Sequence, residues 1–197
     1  LKQGLALFDF DGTISNADSS SVFYKSLYKY KISYLYKHFL LCFPEFIKFR
    51  FGLIDHLPLK RKRLQIHVGA LSREKYEECI LHFQSNLLPS IVKESALNRI
   101  AWHKAQKHDV CVVSASYDFL LSSWCEKLEL MLLVNKTRKE HKTCLFEGED
   151  CNFNGKVKLI KKNFQLNDYV RIYAYGDSNG DKAMLSLADE PYFKYFI

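Results

Sequence analysis

Two carboxylates one residue apart, Asp9 and Asp11, close the apolar run of LALFDFDGTISNAD (5–18) and are followed at once by Gly12 and Thr13. Asp is depleted in strands, and two of them at the end of a buried run set like charges side by side, so a countercharge is required. Residues two apart in an extended chain face the same way, which lets one carboxylate attack an electrophile while the other moves protons. Three further segments carry matching groups. Ser114 ends DVCVVSAS (109–116), Asp177 ends VRIYAYGDS (170–178) with Asp181 just after, and Lys156 opens the helical pattern KVKLIKKNF. This set suits phosphoryl transfer from a phosphomonoester, whose double negative charge calls for a lysine and for Mg²⁺ held by hard carboxylate oxygens. Asp9 would carry an aspartyl-phosphate and Asp11 would serve as acid and base. The metal supplies the countercharge that the opening pair lacks.

The elements that must position these groups are legible as well. Leu5–Phe10, DVCVVSAS, LMLLVN (130–135) and VRIYAYGDS are short apolar runs of the kind buried on both faces of a parallel sheet. Between them lie helical patterns: Leu97, Ile100, Ala101 and Ala105, then YDFLLSSWCEKL, then KVKLIKKNF. Strands alternating with helices predict a Rossmann-like α/β core, and ligands of such sheets sit beyond the carboxyl ends of the strands. Residues 19 to 88 break the alternation. Tyr76, Ile80, Phe83 and Leu87 form one helical stripe after a Ser72 N-cap, and the aromatic stretch before Pro44 is helical too. Pro44, Gly52 and Pro58 are expected to separate the helices. The predicted organisation is a core of 1–18 and 90–197 with a helical cap, 19–89, inserted after the first strand.

With 197 residues, 48% of them hydrophobic, the chain can bury a real core. Its net charge of +7 is concentrated in one segment: from Val22 to Arg63 there are ten Lys/Arg against Glu45 and Asp55. The six cysteines form no CxxC pair and read as reduced core residues, which together with the lack of a secretory signal predicts a cytoplasmic protein. The charge-free apolar run Phe39–Pro44 is far shorter than the roughly 20 residues of a spanning helix. A basic, aromatic cap would also suit the edge of an anionic membrane. KRKR (60–63) has no nucleic-acid recognition fold beside it, so no nucleic acid is expected, and nothing points to a protein partner.

DFDGTI resembles the first motif of the haloacid dehalogenase superfamily, VVSASYDFL the second, GKVKLI the third and YGDSNGD the fourth, in order from Phe8 to Asp181. The insertion directly after motif one is similar to the small cap of the phosphoserine phosphatase-like branch. The resemblance implies Asp9 as nucleophile and Asp11 as general acid/base. It implies Mg²⁺ on the side chains of Asp9 and Asp177 and the main-chain carbonyl of Asp11, with Asp181 orienting the metal's ligands. Ser114 and the Ala115 amide would hold phosphoryl oxygens, Lys156 would neutralise them, and Asn179 is a further member of that pocket. Asp18 falls where phosphoserine phosphatases place a glutamate that reads the substrate's amine. Their partner arginine has four candidates here, Arg50, Arg61, Arg63 and Arg73.

Plainer roles compete at several positions. Asp-Gly is a common turn signal, Asp181 is favoured in a first helical turn whatever its role, and Lys158 competes with Lys156. A solvated lysine in a first turn opposes the helix dipole, which points to an anion beside Lys156. His103 and His108 read as surface residues flanking a strand. The expected activity is that of a Mg²⁺-dependent phosphatase for a small soluble phosphomonoester. A lipid-phosphate phosphatase similar to the phosphatidylglycerophosphatases, and a non-catalytic phosphate-binding protein, are the alternatives.

Overall fold

The computed structural model describes residues 2–30, 32–148 and 150–196. Six strands form one sheet: β1 (Lys2–Phe8), β2 (Asp109–Tyr117), β3 (Met131–Lys139), β4 (Cys144–Glu147), β5 (Tyr169–Gly176) and β6 (Glu190–Phe193). Their order is β4-β3-β2-β1-β5-β6, all parallel except the β3–β4 pair. Four of these strands are those the apolar runs predict. The edge strands β4 and β6 carry no such run, because an edge strand is shielded on fewer sides and needs less apolar sequence.

The sheet is covered on both faces. Leu5 and Leu7 of β1 point to one face with Cys111, Val113, Ile172 and Ala174, and Ala6 and Phe8 point to the other with Val112 and Tyr175. This is the period-two alternation of a strand, with every one of those β1 side chains removed from solvent. Phe8 stacks on Tyr175 at 4.4 Å between ring centroids, and full burial of such a ring contributes about 2–3 kcal/mol.

Between β1 and β2 the chain is helical: α1 (Ser19–Tyr30), α2 (Ile32–Arg50), α3 (His56–Leu64), α4 (Arg73–His82) and α5 (Leu88–Ile91), followed by α6 (Glu94–Ala105). Ser72 caps α4 as the sequence predicts, its hydroxyl accepting from the Lys75 amide at 3.3 Å. Gly52, at φ +69°, ends α2. The two prolines behave differently from expectation. Pro44 lies inside α2, and Pro58 occupies the first turn of α3, where a missing amide hydrogen is harmless. Phe23, Tyr24, Leu27, Leu64, Val68 and Phe83 of this segment join the same apolar cluster as Phe8, so the helices close directly over the sheet. The chain is completed by α7 (Asp118–Lys127), α8 (Asn154–Asn163) and α9 (Lys182–Leu185). Ile160 of α8 and Met184 of α9 pack on the Leu5/Leu7 face.

All six cysteines are free and buried. His103, read from the sequence as a surface residue, is fully buried, because α6 turns it inward between His108 and the Tyr175 hydroxyl. No helix of the described residues is long and apolar enough to cross a membrane.

Candidate active site

β1 delivers Asp9 at its carboxyl end, where the Asp9 amide still donates to Tyr175 O at 2.9 Å. The chain then turns sharply: Gly12 takes φ +87°, and a Cβ there would stand 2.3 Å from Asp177 Oδ2, so glycine is required on both counts. That turn carries Asp11 to one side, where Ser19 N donates to its Oδ1 at 2.7 Å, and Thr13 to the other, where its hydroxyl donates to Asp177 Oδ1 at 3.4 Å. After β5 the loop to α9 is tied by Asp181, whose Oδ2 accepts from the Ser178 hydroxyl at 2.6 Å and the Ser178 amide at 3.0 Å. Gly176 admits this loop, since a Cβ there would meet Asp181 Cβ at 2.5 Å.

Lys156, in the first turn of α8, reaches into this group with 1% of its surface exposed. Its Nζ lies 2.5 Å from Asp9 Oδ1 and 2.7 Å from Asp181 Oδ1. Carboxylate oxygens of Asp9, Asp177 and Asp181 all fall within 4.8 Å of one another. Three carboxylates facing one ammonium leave surplus negative charge. Burial, opposed by Lys156 and reinforced by Asp181 and Asp177, raises Asp9 to about 6, and burial with Asp181 also raises Asp177. Asp181 moves the other way: burial pushes it up, but Lys156 and the Ser178 donors outweigh that and hold it low. The same two carboxylates raise Lys156 against the downward pull of burial. A compact set of hard oxygens with excess negative charge fits Mg²⁺. The Asp11 side chain is outside this trio.

Asp11 is raised to about 7, by burial first and then by Asp18 and Asp9. β2 contributes a different device. Ser114 pairs with Val134 but Tyr117 with Asn135, so the ladder bulges at residues 115 and 116. The fully buried Ser114 Oγ accepts from Ser116 N at 3.0 Å, which leaves its own proton to donate.

Asp11 and Ala115 border a cavity of about 280 Å³ whose lining also includes Asp18, Ser20, Tyr24, Phe49, Leu59, Lys60, Arg63 and Tyr117. Asp18 has a local role too, accepting from Ser21 N at 2.6 Å as an N-cap of α1. Of the four arginines open from sequence, Arg63 is the one that lines the cavity, its guanidinium 5.0 Å from the Tyr24 ring centroid. Asn179 is exposed and does not line the cavity. Two larger clefts, about 870 and 800 Å³, contain none of Asp9, Asp11, Asp177 and Asp181.

The strand-end residues and the sheet that holds them match the haloacid dehalogenase-like hydrolases over residues 6–186. The chain belongs to that family. It is similar to Protein CicA of Caulobacter vibrioides, with 27% identity over 195 residues that span 98% of this chain and 86% of CicA. A Bordetella pertussis protein of unknown function shares the fold at a TM-score of 0.81 and 18% identity, over 95% of this chain and 88% of that one. A substrate-bound phosphoserine phosphatase shares it at 0.67 and 22%, over 95% and 84%.

Within this hydrolase, two residues escape the sequence motifs. Lys60 of α3 donates to Ala115 O at 2.5 Å and to Asp150 Oδ1 at 2.9 Å, and the fully buried Asn135 donates to the same carbonyl at 2.5 Å while accepting from Cys151 N at 2.6 Å. Together they fix the β2 bulge at Ala115. Lys60 sits in a run of four basic residues in which nothing local distinguishes it. Asn135 ends an apolar run, which is the one hint the sequence offers.

Proposed function

We propose that the protein is a phosphatase that takes the phosphoryl group of a phosphomonoester onto Asp9 and releases it to water. The observation that carries this reading is the buried Lys156 bridging Asp9 and Asp181 beside Asp177, at the carboxyl edge of the sheet. In this reading residues 19–89 form the cap and the remainder the core. An Asp9 oxygen attacks phosphorus and the ester oxygen departs with a proton from Asp11. Asp11 then takes a proton from the water that attacks phosphorus, and inorganic phosphate leaves as the Asp9 carboxylate is restored. The Ser114 hydroxyl and the Ala115 amide donate to phosphoryl oxygens, and Lys156 offsets their charge. Asp9 and Asp177, with the Asp11 carbonyl, would hold Mg²⁺, and Asp181 would orient its surroundings; bound there, the ion supplies positive charge for the phosphoryl oxygens. Asp18 and Arg63, facing one cavity with opposite charges, are the residues to read the rest of the substrate.

The test is phosphate release with Mg²⁺ across a panel of soluble phosphomonoesters and detergent-dispersed phosphatidylglycerophosphate. Asp9→Asn is expected to lower turnover by at least about a thousandfold and EDTA to abolish it. Phosphate binding with no turnover on any ester would favour the non-catalytic alternative. A small soluble metabolite suits the cavity's modest volume. A lipid-borne phosphate has one specific observation in its favour: Phe49 lines the cavity and is also exposed on α2.

A further inference from the structure

The helix α2 is inside out. Tyr36, Leu40, Phe43 and Ile47 follow one another at spacings of four, three and four, which places them on a single stripe, and all are exposed, by 69, 58, 46 and 36%. Cys42, on the other side, is buried, and Glu45 is paired at 2.8 Å with Lys62 of α3. A surface helix ordinarily buries its apolar stripe; here that stripe faces outward, Leu41, Phe46 and Phe49 are exposed at other positions round the helix, and the Glu45–Lys62 pair joins α2 to α3. Phe51 and Leu53, each 74% exposed, extend the apolar surface past the helix end.

We infer that this face docks on an anionic phospholipid bilayer, with α2 lying in the plane of the interface. Three observations select that occupant. The stripe has an exposed basic residue, Arg50, one turn beyond Ile47, with Lys48 and Arg61 exposed nearby in sequence. Lys48, Arg50 and Arg61 are exposed in this part of the chain against one exposed acid, Asp55, with Glu45 paired to Lys62, so a second copy of this face would meet like charge whereas an anionic headgroup layer meets opposite charge. No described helix can span a membrane, so the fitting mode is seating on the surface. Phe49 of the same helix, on a different face from the stripe, is exposed and lines the cavity. Docking stands on this surface alone. That it presents a lipid's phosphomonoester to Asp9 rests on the phosphatase reading.

The experiment is co-sedimentation of the full chain with vesicles of phosphatidylcholine alone and of phosphatidylcholine mixed with phosphatidylglycerol. Binding is expected to the mixed vesicles and to weaken with added salt. The double variant Leu40→Ser/Ile47→Ser should weaken it about tenfold or more, and Arg50→Gln about fivefold. None of these residues lines the cavity, so hydrolysis of a soluble aryl phosphate should be unchanged, and thermal melting checks folding independently of activity. Wild-type protein that stays in the supernatant with mixed vesicles overturns the proposal. So does a folded double variant that binds as wild type does, or a wild-type dimer in gel filtration that the double variant dissolves. Vesicle binding with no phosphate release from either the aryl phosphate or phosphatidylglycerophosphate would leave docking standing and remove the phosphatase reading.

Discussion

Lys156 shows how one side chain can be structural and chemical at once. Its buried ammonium pairs with two buried carboxylates, so its removal leaves both without it. Lys156→Met should therefore destabilise the fold by about 3–5 kcal/mol, read from urea midpoints, and abolish phosphate release in the same preparation. Methionine preserves volume, so the loss reports charge. Asp9, Asp11 and Lys156 were legible in the sequence because each is anchored locally: at a strand end, beside a glycine turn, in a first helical turn. Lys60 was not, since its value lies in reaching a carbonyl 55 residues away, which no local pattern encodes. Asn179 marks the opposite limit. It stands inside a motif, yet the turn Asn179–Asp181 leaves its side chain in solvent, because there it is Asp181 that the backbone turns inward.

At the scale of elements, two junctions make measurable predictions. The turn into α8 holds Phe153 at φ 47° and ψ −123°, with Gly155 N donating to Asn152 O at 2.8 Å. That backbone suits glycine and strains phenylalanine. Phe153→Gly should raise stability by about 1 kcal/mol, since relief of the strain exceeds the added chain entropy; an unchanged urea midpoint would show that the strain is absorbed elsewhere. The second junction is α6 against β5. His103 there is lowered to about 3, by burial first and then by Arg99 of its own helix and His108 of the following turn. The unfolded chain takes up this proton near 6.5, the folded one only near 3, so stability is intact above about pH 6.5 and falls as acid is added through that window. The slope is up to about 1.4 kcal/mol per pH unit. His103→Gln should flatten the difference between urea midpoints at pH 6 and pH 4. The parallel strands and the Ser72 cap were readable from periodicity and cap chemistry. Pro44 misled because a breaker rule weighs one residue, whereas the helix around it is fixed by packing against α3.

Across the whole molecule, Lys60 is among the residues that couple the helical segment to the end of β2, with Ser19, Ser20 and Tyr24. Lys60 and Asp150 are largely buried, and the lysine also bonds Ala115 O. Lys60→Met should cost about 2 kcal/mol, raise KM more than it lowers kcat, and speed cleavage of the 19–89 segment by a dilute protease. If KM holds while kcat falls, Lys60 acts on bound phosphate and not on the seating of the helices. The six cysteines bear on how such movement can be watched. Burial lifts every one of these thiols, Cys144 to about 11 and Cys125 and Cys151 to about 12, so they are poor nucleophiles at neutral pH. A pair of surface cysteines placed on α4 and α7 would then be the preferred targets of maleimide dyes. Fluorescence transfer between them could follow opening and closing in the otherwise native chain.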